Sequence, residues 1–101
     1  MQNLKPPKNP AEKFYIGVDF SKWLSSGESI NVGASSVTAI DESGNDVSST
    51  LIESGTLAVD GSILQARIKD GTDGAIYYVT FNAVTSLLNN FEEDIRIRVK
   101  D

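Results

Sequence analysis

The 101-residue chain contains no cysteine and no histidine. Without cysteine there is no disulfide staple and no thiolate metal site. Without histidine the usual general base and the commonest zinc ligand are also missing, and neither a Ser-His-Asp nor a Cys-His arrangement can be built. Proline is scarce, and Pro6, Pro7 and Pro10 all fall in the first ten positions. No apolar run approaches the length that crosses a bilayer, so a membrane is not an expected partner. The opening stretch "MQNLKPPKNPAEK" lacks the apolar segment of a secretory signal. No stretch repeats its apolar residues at a helical period.

Positive charge is also in short supply. The net charge is −5; Lys5, Lys8 and Lys13 against Glu12 make the first 13 residues +2, so the remainder carries −7. An acidic body repels phosphate backbones, which excludes nucleic acid as an expected partner. The three prolines deny the opening segment helix and ladder bonds, so residues 1–12 are expected to form a flexible or extended arm. Residues 13–101 are expected to form one domain, because a chain of this length supports one core and not two.

What is present is strand after strand. Phe14, Ile16, Val18 and Phe20 alternate with Lys13, Tyr15, Gly17 and Asp19, which is period two with one apolar face. "SINV" and "SSVTAID" have the composition of two short strands separated by Gly33, and "VSSTLIES" is β-branched enough to predict another. In "TLAVDGSILQARIK", Asp60-Gly61 suits a two-residue type I′ turn. That turn sets Val59 opposite Ser62 and Leu57 opposite Leu64, with Leu57, Val59, Leu64, Ala66 and Ile68 on one side. Phe91, Ile95, Ile97 and Val99 point one way on the last strand, and Glu92, Asp94, Arg96, Arg98 and Lys100 point the other. The row of Arg96, Arg98 and Lys100 reads as a solvated face that discourages edge pairing.

The run "DGTDGAIYYVTFNAVT" differs, being apolar at both odd and even positions from Ile76 to Val84. A central strand fits, with one face on an opposing sheet and the other partly covered. Together these strands, about seven of them, make the pattern of an antiparallel sandwich or barrel, so the fold class is all-β.

Chemistry is harder to find. No spacing among the fourteen carboxylates picks out an acid/base pair. "DESGND" and "DGTDG" carry closely spaced oxygens, but neither matches the twelve-residue calcium loop, and tight turns require the same residues. No catalytic residue, cofactor-binding residue or metal ligand is assigned, and no cofactor is expected. Three apolar residues stand out instead. Leu87 and Leu88 occupy a turn where polar residues are usual; they either mark a contact surface or curl back on the core. Trp23 sits in the Ser/Gly-rich "SKWLSSGES", where it and Leu24 either fold under one end of the core or leave a ring free to stack on a ligand. Leu87, Leu88 and Trp23 are the candidate contact surface.

The order "FYIGVDFSKWLSSGESI", "SSVTAIDESGNDVSSTLIESG", "ARIKDGTDGAIYYVTFNAVTS" and "FEEDIRIRVKD" resembles the small immunoglobulin-like proteins encoded by tailed bacteriophages and prophages. Asp19, Trp23, Leu24 and Gly27 match the first part of that family's pattern, and Ser35, Ser36 and Val37 the second. Gly71, Thr72, Gly74, Tyr78, Val79, Val84 and Thr85 match the third, and Ile95 to Val99 the last. Asp70 stands in place of the first glycine of the usual pair, and Leu87-Leu88 in place of a short polar turn.

The resemblance covers residues 13–101 and implies a single immunoglobulin-like antiparallel β-sandwich of about seven strands. It further implies a non-enzymatic, structural accessory protein of a phage or prophage particle, made in the bacterial cytoplasm and located in the virion. Its partners would be other virion proteins or copies of itself. The rival expectation is an adhesion or carbohydrate-binding module that stacks a cell-surface glycan on Trp23 or the tyrosines.

Overall fold

The structure, a computed structural model, describes residues 1–101. Seven strands and one helical turn follow in order: β1 (Gln2–Asn3), β2 (Phe14–Asp19), β3 (Ser36–Asp41), α1 (Ser48–Leu51), β4 (Ala58–Asp60), β5 (Ile63–Ile68), β6 (Ile76–Val84) and β7 (Asn90–Arg98). They form two sheets, one of four strands in the order β1-β7-β6-β3 and one of three in the order β2-β5-β4. All pairings are antiparallel except β1 with β7. The all-β, sandwich-like class expected from the alternation is what the chain adopts.

Between the sheets lies one apolar cluster. Ile16 and Val18 of β2 and Leu64, Ala66 and Ile68 of β5 meet Ala39 of β3, Tyr77, Val79, Phe81 and Ala83 of β6, and Ile95 and Ile97 of β7. Full burial of a side chain such as Leu64 or Phe81 contributes about 1.5–3 kcal/mol. The two-faced run is β6, with β3 and β7 as its neighbours. Its odd members are buried and its even members half-buried. The Tyr77 ring is buried, and its hydroxyl accepts a hydrogen bond from Thr72 N–H at 3.0 Å. Gly17 on β2 is there for space: a Cβ would stand 2.9 Å from Ile63 Cγ2 and 3.0 Å from the Leu64 carbonyl oxygen.

Three local expectations are corrected. The β4–β5 hairpin pairs Asp60 with Ile63 and Val59 with Leu64, not with Ser62. Asp60 keeps negative φ while Gly61 takes +62°, so the two loop residues are Gly61 and Ser62, with glycine first as a type II′ turn requires. A two-residue slip leaves every side chain on its expected face, which is why the apolar pattern did not expose it. "SINV" is not a strand; only Ile30 forms a bridge, to Thr85, and residues 32–34 turn. "VSSTLIES" is not a strand either. Asp46 Oδ1 accepts from the Ser48 N–H at 2.9 Å and from its hydroxyl at 2.6 Å, which starts the turn α1. Leu51 N–H then bonds Val47 O at 2.9 Å, and the Leu51 side chain is fully buried. Local Asx chemistry together with one buried leucine outweighs β-branched propensity here.

The segment expected to be a flexible arm lies along β7 in this structure. Leu4 N–H donates to Arg96 O and Lys8 N–H to Arg98 O, both at 2.9 Å, while Lys100 N–H donates to Lys8 O at 2.8 Å. Leu4 and Lys8 are four residues apart but bond β7 residues only two apart, so Pro6 and Pro7 lie in a bulged stretch that makes no ladder bond and needs no donor. Lys8 is fully buried, and its ammonium donates to the carbonyl oxygens of Asn9, Pro10 and Asp70. Burial pulls its pKa below the usual 10.5, against the opposing influence of the Asp70 and Glu12 charges.

Candidate contact surface at one end of the sandwich

The β6–β7 hairpin closes through the five residues Thr85 to Asn89. Thr85 is its hub. Its N–H donates to Asn89 O and its carbonyl accepts from Leu88 N–H, both at 2.9 Å. Its hydroxyl oxygen accepts from the N–H groups of Asn89 at 3.1 Å and Leu87 at 3.3 Å, and donates in turn to Glu28 Oε2. Asn89 Nδ2 donates to the same carboxylate oxygen at 2.9 Å. Leu88, held inside this ring of bonds, has a φ of +64°. That left-handed conformation suits glycine or asparagine and is unfavourable for leucine.

Glu28 comes from the long loop between β2 and β3. Its other oxygen accepts from Ser25 N–H at 2.9 Å, and Glu28 N–H donates back to Ser25 O at 3.0 Å. The Ser25 N–H, with Thr85 and Asn89, holds this carboxyl below its usual range. Further bonds tie the same loop to the hairpin. Ser29 N–H donates to Ser86 Oγ at 3.0 Å, Ser86 N–H to Ser29 O at 2.8 Å, and Asn31 N–H to Val84 O at 2.8 Å.

On this base sit exposed apolar side chains. Leu87 is 60% and Leu88 87% exposed, so neither curls back to seal the core. Trp23 is 45% exposed. Its ring lies 5.5 Å from that of Phe20 and 6.5 Å from that of Phe91. Phe91 pairs with Ala83 beside the hairpin tip, so all three candidate residues share one end of the sandwich. The expectation of folding under the core holds for Leu24, which packs against it, and not for Trp23. Val32 is a fourth exposed apolar residue on the same loop, next to Asn31. The clefts of the surface, of about 310 to 480 Å³, are lined by other residues. The tip therefore offers apolar protrusions and no cleft.

The sequence alone does not single out Glu28. Ser25-x-x-Glu28 has the spacing of a reciprocal capping box, but no helix follows, and its partners Thr85 and Asn89 lie about sixty residues away. The acidic turns have structural work. Asp41 Oδ1 accepts from the N–H groups of Ser43 at 2.9 Å and Asn45 at 3.0 Å, and Asp73 Oδ1 accepts from Asp101 N–H at 2.9 Å. No three Asp or Glu side chains cluster closely enough to hold a metal ion. No helix is long and apolar enough to cross a membrane.

Residues 8–98 match the model of a protein family described as podophage GP4 fiber-tail adaptor protein gp77. No curated protein and no solved structure matches. The match spans nearly the whole chain, and the chain belongs to this family. It is accordingly a structural, accessory component of a phage virion, as its resemblance to phage virion proteins led us to expect.

Proposed function

We propose that this member of the fiber-tail adaptor family works without catalysis, by direct protein–protein contact, and that Leu87, Leu88, Val32 and Trp23 form one of its docking surfaces. The partner is a neighbouring virion protein of the tail or fiber. The observation that carries this reading is Leu88, an 87%-exposed leucine in a left-handed conformation that a buried polar network maintains. Stability alone favours asparagine or glycine there, and backbone strain that surroundings hold in place is a mark of functional sites. A rigid apolar protrusion also loses little conformational entropy when it enters a pocket. The acidic body contributes partner choice through charge rather than through apolar area.

The test is incorporation of the chain into particles. The double substitution Leu87→Asp with Leu88→Asp leaves the thermal transition within a few degrees of wild type and abolishes co-sedimentation with virions. Full incorporation of a folded double variant would rule the tip out as a docking surface. Trp23→Ala separates this role from sugar stacking. Reproducible binding to a glycan array, lost in Trp23→Ala, would instead favour a carbohydrate-binding module.

A further inference from the structure

The register of the four-stranded sheet arranges its outward side chains in lateral rows. Ile40, Tyr78 and Arg96 share one row, and Thr38, Thr80 and Asp94 share the next. Along β7 the outward stripe runs from acidic to basic: Glu92, Asp94, Arg96, Arg98. None of these four forms a salt bridge within the chain. Asp94 is steadied by the Thr80 hydroxyl, which donates to it at 2.7 Å. A stripe with one sign at each end is complementary to itself read backwards.

We propose that this face is a two-fold interface with a second copy of the chain, packed sheet on sheet with β7 antiparallel to its counterpart. The two-fold axis lies in the interface plane, perpendicular to the strands, at the level of Ala39, Val79 and Ile95, which are register partners across the sheet. It places each strand over its own counterpart. Asp94 then opposes Arg96 of the second copy and Glu92 opposes Arg98, and symmetry makes each pair occur twice. Tyr78 falls over Thr80 of the second copy, and Ile40 over Thr38. If the strands ran parallel across the interface, each of these charges would face its own kind, so charge alone selects the antiparallel arrangement. The net charge of −5 opposes self-association at long range. The local pairs, with burial of Tyr78 and of Ile40, which is 40% exposed in the single chain, offset that repulsion. This surface is separate from the tip and does not depend on the docking role proposed above.

Sedimentation equilibrium of the purified full chain tests it. The expected result is a concentration-dependent dimer. Arg96→Glu turns two attractive contacts into repulsive ones and weakens that dimer by roughly a hundredfold. The charge swap Asp94→Arg with Arg96→Glu restores it, because the stripe is again complementary to its own reverse. The outer pair gives an independent version at the exposed position Arg98: Arg98→Glu weakens the dimer and Glu92→Arg with Arg98→Glu recovers it. Leu88→Asp leaves it intact. A chain that stays monomeric at millimolar concentration, a dimer indifferent to Arg96→Glu, a swap that fails to restore, or a dimer lost in Leu88→Asp each overturns the proposal.

Discussion

The N-terminal strap and the β6–β7 tip use the same local device to opposite ends. In the strap, Asn9 N–H donates to Glu12 Oε1 at 2.7 Å and Glu12 N–H to Asn9 O at 2.9 Å. Beside the tip, Ser25 and Glu28 make the same reciprocal pair. Yet the strap ends in a fully buried lysine, and the tip ends in a leucine that is nearly free. The difference teaches that local partners can outweigh residue polarity. Three carbonyl oxygens around the Lys8 ammonium replace its water, whereas no apolar surface is offered to Leu88. The strap adheres to its own chain, and the tip leaves its two leucines exposed.

The largest expected effect lies in the strap. Lys8→Met keeps the aliphatic stem but strands the carbonyls of Asn9 and Asp70, and costs about 2–4 kcal/mol, read as a lower urea midpoint. A loss below about 1 kcal/mol would mean that the strap is not integral to the fold. At the tip, Thr85→Val removes the hub hydroxyl and costs about 1–3 kcal/mol. Faster amide exchange at Leu87 and Asn89, with β5 unaffected, would locate that loss in the loop.

Proton linkage separates the two regions further, with smaller effects. Glu28 has a folded pKa below its usual 4.5, as Asp19, Asp41 and Asp46 have below 3.8. Their stabilisation is fully present above those usual values and is lost as pH falls through the folded ones, so acid loosens the tip and the turns. Lys8 also has a lowered folded pKa, but it is a base. Between that value and 10.5 the unfolded chain holds more protons, so the Lys8 contribution to stability rises with pH. Comparing wild type with Lys8→Met across that alkaline window isolates it: the variant lacks the rising component. The smallest effect has the opposite sign. Leu88→Asn relieves the left-handed leucine and stabilises the fold by about 0.5–1 kcal/mol, while particle incorporation falls. A destabilised Leu88→Asn variant would show that the leucine supports the fold itself.

The legible parts were those governed by alternation. The inner faces of β2, β5 and β7 could be read directly, because a strand's period of two ties each residue to a face, whereas β6, apolar at both parities, shows its buried face only in the sheet. Register in the β4–β5 hairpin was not legible, since parity survives a slip of two. Residues 48–51 form a helical turn rather than the expected strand because β-branched composition is a weak preference, easily overridden by the Asp46 turn. At the tip, the oddity of Leu87, Leu88 and Trp23 was visible, but the Glu28–Thr85–Asn89 network that supports it was not. Nothing in one segment of chain announces a partner some sixty residues distant.

Covalent order thus specified which side chains turn inward along β2, β5 and β7, and that an apolar turn breaks a polar rule. These are consequences of near neighbours: the pleat, the turn preferences and the composition. Packing in three dimensions chose the rest, namely the strap along β7, the carbonyl cage that accepts Lys8, and the shared end at which Trp23 and the two leucines stand. Such choices depend on which distant backbone and side-chain groups are left without water or a partner once the sheets close, and that inventory exists only in the folded chain.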